Sequence, residues 1–388
     1  MKSIQYTGTQ TTERVASSLL PGLTGLRGVG ALWVVTYHAQ YGMSLPIASA
    51  GYLGVDLFFI LSGFVLSHAH QNIQWTLRNY WSFLRNRFAR IFPMHWAALT
   101  FLFLILVVFP EIKHDMPTKF AQPDLIKSAL LIQNWGFGGA GSWNGPAWSL
   151  SMEWLVSIGF PVFLLISQRV VRPISAVLLC AACLASFAAF LALTHNPNPG
   201  VISSRAGLVR TVCEFMAGCL LYRHYAAGVK IDFVAGLGGV ILVLVGVLVP
   251  SLAILAVFGF SVLILLAAQP STPVARMLST WVMLTLGNIS FSVYLMHWML
   301  LLVSERLQAS WQLGPAAALV CFCCYVAIVI ALSTATYRFI EVPACRWLRS
   351  GEPQRTPPLL QTLATNRARH KISALIINCI LLISLTNQ

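Results

Sequence analysis

Arg27 and His38 are the residues of this chain whose types and spacing most directly suggest chemistry. They lie eleven residues apart in one apolar segment, LRGVGALWVVTYHAQY. On an α-helix, eleven residues return to within about 20° of the starting face and rise about 16 Å. A guanidinium suits phosphate and an imidazole suits proton transfer, so the pattern favours one helix with a phosphate-binding group and a base at different depths. The alternatives are an arginine that anchors a membrane surface and a histidine bonded to a neighbouring helix.

The composition is that of an integral membrane protein. Of 388 residues, 57% are hydrophobic and 9% are charged, whereas a soluble domain carries about 25% charged residues. Hydropathy predicts an all-α, polytopic bundle of about ten transmembrane helices. The predicted spans are 26–42, 51–68, 93–110, 150–168, 173–194, 206–222, 232–249, 251–268, 281–303 and 315–337. The nine cysteines lie mostly inside apolar segments without metal-ligand spacing, so no metal site is expected.

The basic residues orient these spans. With a cytoplasmic N-terminus, only six of the 25 Lys and Arg residues fall on the outer side: Lys113, Lys119, Lys127, Arg205, Arg210 and Arg306. This arrangement satisfies the positive-inside rule, so the net charge of +14 requires no nucleic-acid partner. An even number of spans returns the C-terminus to the cytoplasm. The predicted domains are a cytoplasmic segment 1–21, a membrane domain 22–345 and a basic tail 346–388, whose apolar run 372–385 lies on the membrane surface.

Several polar groups are predicted near the depth of His38. Asp56 lies about as far below the outer end of its span as His38 does, so it could accept a hydrogen bond from His38 and fix its tautomer. The alternative is that Asp56 caps a helix or pairs with an arginine elsewhere. Glu153, in WNGPAWSLSMEW, is a second carboxylate that could orient His38. Tyr294 and His297, three apart on the ninth span, are either site residues or partners in interhelical hydrogen bonds.

A basic stretch, LRNYWSFLRNRFARIFPMHW, follows the second span. Arg87 and Arg90 are three apart and share a helix face, Arg85 lies just before them, and Pro93 is predicted to open the third span. Guanidiniums near the inner end of the Arg27 helix would make a phosphate site. Anchoring to lipid head groups is the alternative, and it explains most clusters of this kind.

Two other segments carry structural predictions. In YRFIEVP, Arg338 and Glu341 are three apart at the inner end of the last span and are expected to pair with each other. Residues 124–148 contain an apolar run too short to cross a membrane, followed by a glycine-rich stretch. A half-membrane or surface helix is therefore expected there, leading into a loop that covers the outer mouth of a cavity.

Six motifs occur here in the order in which acyltransferase family 3 carries them: Arg27-x10-His38, GYLGVDLFFILSGF, RNRFARIFP, WSLSMEW, LGNISFSVYLMH and YRFIEVP. From about residue 22 to 343 the sequence resembles this family of integral-membrane O-acyltransferases, which mostly modify bacterial surface glycans. The resemblance implies a ten-span protein of the inner membrane, an acyl-coenzyme A donor, usually acetyl-coenzyme A, and a hydroxyl acceptor. It also implies that His38 and Arg27 are catalytic and that Arg87 and Arg90 help bind the donor. Many relatives carry a fused extracytoplasmic domain, whereas a stand-alone enzyme is expected here.

Together these lines predict a mechanism. Arg87, Arg90, Arg85 and Arg27 would hold the donor phosphates, and the thioester would reach His38 along a water-lined route through the membrane. His38, oriented by Asp56 or Glu153, would act as general base for a hydroxyl of a carbohydrate or lipid-linked glycan. Oxyanion or acceptor contacts would come from Ser62, Tyr294, His297 or backbone N–H groups. No permanently bound cofactor is expected, and both direct transfer and a covalent acyl-enzyme stay open.

A transporter is the competing class of function. In a flippase for a polyprenyl-linked glycan or a proton-coupled carrier, the same ionisable groups would relay protons or steer an anionic substrate. The sequence shows neither paired broken helices nor an internal repeat, which such carriers often have. Thiol release from an acyl-coenzyme A in detergent separates the two classes, because a carrier has no such reaction.

Overall fold

All regular secondary structure in the described residues is helical, as predicted. The computed structural model describes residues 20–39, 45–136, 143–195, 204–308 and 314–349. The rest of the chain lies outside the described residues; it includes most of the predicted N-terminal segment and most of the basic tail, with the apolar run of that tail. Eleven principal helices occur in the described ranges: α1 (Pro21–His38), α2 (Gly54–His70), α3 (Leu77–Val108), α4 (Trp148–Ile158), α5 (Phe160–Gln168), α6 (Pro173–Leu193), α7 (Ser204–Ala226), α8 (Phe233–Leu248), α9 (Ile254–Ala268), α10 (Trp281–Gln308) and α11 (Pro315–Thr336).

Shorter helical segments connect or extend these helices. Of the nine such segments in the described residues, four begin with proline and three more have proline as their second residue. Proline suits the first turn of a helix because its missing N–H would have no partner there anyway. The α-helical ones are Pro46–Ser49, Pro110–Asp115, Gln122–Ala129, Pro273–Leu278 and Val342–Arg349. Gly51–Leu53, Gly145–Ala147 and Pro250–Leu252 are 3₁₀ turns, and Tyr337–Glu341 is a π-helical turn.

Each predicted span coincides with one principal helix, except that the fourth is made of two. Helices α4 and α5 meet at Gly159 with a bend of 60°. Among the described residues, five helical runs are long and apolar enough to cross a membrane, and a sixth is added if α4 and α5 count as one span. Helices α8 and α9, with 16 and 15 residues, are shorter than the roughly 20 residues that a bilayer core requires.

Helix α1 lies between α2 and α10 and approaches α10 very closely. A side chain at Gly287 would have its Cβ 2.0 Å from the carbonyl oxygen of Thr24, and one at Gly28 would have its Cβ 2.7 Å from the nitrogen of Gly287. The two backbones can meet only because both positions are glycine, which is how helices pack closely in membranes. This contact places the C-terminal half of α10 beside His38.

Helices α2 and α7 make a second close contact. A Cβ at Gly63 would lie 2.1 Å from the carbonyl oxygen of Phe215, and one at Gly218 would lie 1.9 Å from that of Ile60. The contact brings Asp56, in the first turn of α2, to the depth of Arg210, in the second turn of α7.

Pro93 does not begin a helix, contrary to the prediction. It lies inside α3, which is continuous from Leu77 to Val108. A proline in a helix leaves the carbonyl four residues earlier without its usual N–H donor, here the carbonyl of Ala89. The thiol of Cys345 donates to that oxygen at 2.9 Å. The helix therefore continues through Pro93 because the segment after the last span supplies the missing donor.

Candidate active site

Three arginines meet at one end of α1, and we call them the basic cluster: Arg27 on α1, and Arg87 and Arg90 on α3. Arg27 interacts electrostatically with the other two, and also with the carboxylates of Glu153 and Glu341. The structure therefore brings together the three guanidiniums that the sequence assigned to the donor. Their role in donor binding stays a prediction.

Arg87 is held by α4. Its guanidinium forms an ion pair with Glu153, and its Nε donates to Ser157 Oγ at 3.2 Å. Glu153 also accepts a hydrogen bond from Ser62 Oγ at 3.3 Å. The prediction that Glu153 orients His38 is wrong, because its carboxylate lies against the charged guanidinium of Arg87 and makes no hydrogen bond to His38. Ser62, a candidate oxyanion donor, donates its hydroxyl proton to this carboxylate, so in this structure the proton is not directed at an oxyanion.

Arg90 is held by Glu341 at the end of the last long helix. The two side chains form an ion pair, and the second carboxylate oxygen of Glu341 accepts from Ser292 Oγ at 2.7 Å. The guanidinium carbon of Arg90 lies 5.0 Å from the centre of the Phe291 ring. The ion pair thus joins α3, α10 and the π-helical turn at one point.

The π-helical turn explains why Arg338 and Glu341 do not pair, contrary to the prediction. Residues three apart share a face in a regular α-helix, but the wider π turn rotates them apart. Glu341 is 2% exposed and faces Arg90, whereas the guanidinium of Arg338 lies 6.0 Å from the ring centre of Phe339. Turns of this kind are frequent at functional sites.

The basic cluster keeps an excess of positive charge. Glu153 balances Arg87 and Glu341 balances Arg90, so within the described ranges Arg27 is the guanidinium of the cluster left without a carboxylate at ion-pair distance. Its Nε is buried, and no described residue accepts a hydrogen bond from it. Arg85 is exposed and takes no part in the two ion pairs. The end of α1 is therefore a buried site with an uncompensated donor, as an anion site requires.

His38 ends α1 and pairs with His297 on α10. His38 Nδ1 lies 3.0 Å from the carbonyl oxygen of Val34, and His297 Nδ1 lies 3.2 Å from that of Val293. Because a carbonyl only accepts, both neutral rings carry their proton on Nδ1. His297 Nε2, 3.3 Å from His38 Nδ1, then accepts a share of the same proton that His38 donates to Val34. This leaves His38 Nε2 unprotonated, with its lone pair available as a base.

Asp56 does not contact His38, so the predicted pairing is wrong. Its carboxylate is fully buried and accepts from Arg210 Nε at 2.7 Å and from Arg210 Nη2 at 2.5 Å. Glu214, also fully buried, has an oxygen 3.8 Å from the same guanidinium. Two charge-assisted bonds to a guanidinium are much stronger than one to a neutral imidazole, and the close contact of α2 with α7 makes them possible.

Tyr294 is buried, and its hydroxyl is already in use. It donates to the carbonyl oxygen of Pro146 at 2.9 Å and lies 2.6 Å from Ser149 Oγ. Its ring centre is 5.9 Å from that of His297. Tyr294 therefore fixes the 3₁₀ turn before α4 against α10. An oxyanion role would require the hydrogen bond to Pro146 to break.

Lys119 and Trp298 also border His38. The Trp298 ring meets the His38 ring edge-on with centres 5.3 Å apart, and Lys119 Nζ lies 3.9 Å above the Trp298 ring. The sequence analysis counted Lys119 only as a basic residue on the outer side of the membrane. Nothing in its own segment indicates which helix this loop packs against.

Arg210 is the structural residue that the sequence analysis missed. It was counted as an outer basic residue at a span end, yet it is 1% exposed. Its spacing offered a signal, since Glu214 lies four residues later and so shares its helix face. Two carboxylates at similar depth in different spans also require a cation nearby.

Comparison with known proteins identifies the family. A family model described as an acyltransferase domain matches residues 20–338. The chain belongs to acyltransferase family 3. The matched range contains the basic cluster and both histidines of the pair. In the described part of this acyltransferase, the ion pairs thus lie inside the family domain, apart from Glu341 just beyond the match. No solved structure matches the chain.

Named relatives are similar along most of this acyltransferase. The acyltransferase MdmB of Streptomyces mycarofaciens is 26% identical over a region that covers 87% of this chain and 95% of MdmB. The peptidoglycan O-acetyltransferase OatA of Listeria monocytogenes is 23% identical over 86% of this chain and 57% of that protein. The O-acetyltransferase OatA of Staphylococcus aureus is 23% identical over 84% of this chain and 57% of its own length. The chain therefore spans nearly all of MdmB and little more than half of either OatA.

Proposed function

We propose that this family member is an O-acyltransferase that moves an acyl group, in the first instance acetyl, from acyl-coenzyme A to a hydroxyl of a carbohydrate or lipid-linked glycan. In this proposal, ten spans cross the bacterial inner membrane and both termini are cytoplasmic. The observation that carries it is α1, one unbroken helix with Arg27 in its N-terminal half and His38 at its C-terminal end. The names of the relatives support acetyl transfer to a glycan.

The basic cluster is proposed to bind the phosphates of the donor. Among the residues that the structure describes, Arg27 has no carboxylate at ion-pair distance, and Glu153 and Glu341 act on it only from farther away, so an anion arriving there meets a cation without an ion-pair partner. A guanidinium has five N–H donors, and the ion pairs use only some of those on Arg87 and Arg90. The phosphates can therefore share these two side chains with Glu153 and Glu341. Arg85, exposed on α3, would add attraction at longer range.

His38 is proposed as the general base. The acceptor hydroxyl gives its proton to His38 Nε2 while its oxygen attacks the thioester carbonyl carbon. The tetrahedral centre then collapses, the carbon–sulfur bond breaks, and the departing thiolate takes the proton from the His38 imidazolium. General-base assistance of this kind typically contributes about 10²–10⁴-fold. His297 acts through His38, as a second acceptor that, with the Val34 carbonyl, keeps the proton on Nδ1 and leaves Nε2 free.

The decisive experiment measures acyl transfer with purified components. The full chain in detergent is given acetyl-coenzyme A and a hydroxyl acceptor, and free thiol and acetylated product are counted together. We expect equal amounts of both from the wild type and a loss of at least about 10²-fold in His38→Ala. Intact transfer in a folded His38→Ala protein would contradict the role of His38. Acceptor acetylation in cells without any thiol release in vitro would contradict acyl-coenzyme A as the donor.

The same assay separates the proposal from transport. A carrier would not release thiol in detergent, where no gradient exists. A covalent intermediate would be visible as a burst of one thiol per protein in the absence of acceptor.

A further inference from the structure

The loop that carries Lys119 is fixed against the bundle. Phe120 is 1% exposed and meets Trp143 edge-on, with ring centres 5.7 Å apart. The indole N–H of Trp143 donates to the carbonyl oxygen of Ala121 at 2.9 Å, and the backbone N–H of Lys119 donates to that of Met116 at 3.2 Å. These contacts on both sides of Lys119 set its backbone position.

Lys119 is a half-buried cation beside His38. Its Nζ lies 3.9 Å above the ring of Trp298, and it interacts electrostatically with His38. No carboxylate in the described residues lies within ion-pair distance of Lys119, and Glu305 acts on it only at longer range. The cation–π contact attracts the ammonium to the ring face. It leaves the three N–H donors of the ammonium without an oxygen acceptor among the described residues.

Trp298 adds a second unused donor at the same place. Its indole N–H is buried, and no described residue accepts from it. A buried N–H without an acceptor destabilises the folded protein, because it has lost its hydrogen bond to water and gained none in return. The ammonium of Lys119 and the indole N–H of Trp298 are thus two donors beside the proposed base that have no oxygen acceptor among the described residues.

We propose that Lys119 and Trp298 bind an anionic group of the acceptor and so bring its hydroxyl to His38. The inference rests on the proposed function, in which His38 takes the hydroxyl proton. The donor phosphates have the basic cluster at the other end of α1, so a cation at the His38 end serves the other substrate. The anion is a carboxylate of an acidic sugar or the phosphate that joins a sugar to a lipid. A compact ammonium is suited to both.

Protection of His38 from chemical modification tests this without any acyl donor. The full chain in detergent is treated with diethyl pyrocarbonate, and modified His38 is measured by peptide mass spectrometry. The probes are glucuronic acid, glucose 1-phosphate and the neutral methyl glucoside. We expect at least one anionic sugar to protect at a concentration about tenfold lower than methyl glucoside. Protection by glucuronic acid alone indicates a carboxylate, and protection by glucose 1-phosphate alone indicates a phosphate.

Matched variants assign the preference to Lys119. Lys119→Ala and the longer Lys119→Gln should reduce the preference for the anionic sugar to less than about twofold. Both variants remove the ammonium that is proposed to contact the anionic group of the sugar. Lys113→Ala, which removes an exposed lysine from the preceding short helix, should leave the preference unchanged. Trp298→Phe, which keeps the ring and removes the N–H, should weaken protection by about three- to tenfold.

Three results would overturn the inference: no protection by any sugar, equal protection by all three, or a preference that survives in a folded Lys119→Gln protein. Since no donor is present, these results are independent of thiol release. A protein that transfers acetyl but shows no anion preference would refute the subsite alone. One that binds anionic sugars but releases no thiol would refute the proposed function alone.

Discussion

His297 matters to this site through one hydrogen bond. Its Nε2 accepts from His38 Nδ1, while the carbonyls of Val34 and Val293 fix the protons of the two rings. A glutamine at 297 could still present an oxygen to His38, whereas a phenylalanine of similar volume could not.

We therefore predict that His297→Phe lowers kcat by at least about tenfold, the equivalent of 1.4 kcal/mol, with little change in the donor KM. His297→Gln should recover part of that loss. The measurement is steady-state thiol release at varied acetyl-coenzyme A. Equal rates for Phe, Gln and wild type would show that His297 only fills space.

Arg27 is predicted to dominate donor binding, because the other two guanidiniums of the basic cluster are each paired with a carboxylate. Arg27→Gln should raise the donor KM by about tenfold or more and should weaken the dependence of KM on salt. Arg78→Ala, an exposed arginine earlier on α3, is the control and should leave the donor KM within about twofold. An Arg27→Gln protein with the donor KM of the control would remove Arg27 from the donor site.

Lys119 gives the acceptor subsite a dependence on pH. Loss of solvent lowers the pKa of Lys119 to about 8, with Glu305 opposing part of the shift. The ammonium is cationic below that pH and becomes neutral above it, so binding of an anionic sugar should weaken as the pH rises through about 8. Lys119→Arg should bind across the same range, since a guanidinium keeps its charge. The probe concentration for half-protection of His38, measured from pH 6.5 to 9.5, checks this.

At the scale of helices, α2 and α7 are joined by ionic groups that the lipid cannot solvate. Arg210 holds Asp56 through two hydrogen bonds, and Glu214 lies next to the same guanidinium. Removing the cation would leave two buried carboxylates facing each other. Removing Asp56 would leave a guanidinium that still has Glu214 as a partner.

Arg210→Met should therefore destabilise the protein by about 3–5 kcal/mol, and Asp56→Asn should cost less. Thermal unfolding in detergent shows which of the two variants loses more stability. A larger loss in Asp56→Asn than in Arg210→Met would show that Glu214 does not share the charge of Arg210.

Helix α3 depends on a thiol from a distant segment. Cys345 donates to the carbonyl oxygen of Ala89 that Pro93 leaves without a donor. Cys345→Ala should lower the free energy of unfolding by about 0.5–1 kcal/mol. The same change should cost less in a Pro93→Ala background, where residue 93 regains an N–H for Ala89. Equal costs in both backgrounds, measured by thermal unfolding, would show that the thiol bond contributes nothing to α3.

At the scale of the whole molecule, sequence reasoning recovered the helices better than their contacts. Hydropathy located every principal helix of the described residues. The placement of Arg27 and His38 on one helix was also correct, because it depends only on the regular period of an α-helix. The partner of Asp56 was wrong because hydropathy gives the depth of a residue but not the direction it faces. The partner of Glu341 was wrong because a π turn changes the helical period. Pro93 was misplaced because its compensating donor is more than 250 residues away in the chain.

The orientation of the whole bundle is testable through single cysteines. In a parent protein with Cys323 and Cys324, both exposed, replaced by alanine, Lys113→Cys should react with a membrane-impermeant maleimide added outside intact cells. Arg78→Cys, at the opposite end of α3, should react only after the membrane is opened. The reverse pattern would place the basic cluster outside and remove access to cytoplasmic acyl-coenzyme A.

Because α1 is unbroken, it fixes the distance between the two ends of any donor that contacts both Arg27 and His38. Arg27 and His38 are eleven residues apart on it, about 16 Å, and a rigid helix cannot shorten this span to suit a smaller molecule. A short thioester that lacks the nucleotide could reach the imidazole or the arginines but not both at once. A donor without its nucleotide should therefore turn over more slowly as well as bind more weakly, because binding of the phosphates at the arginines positions the thioester at His38.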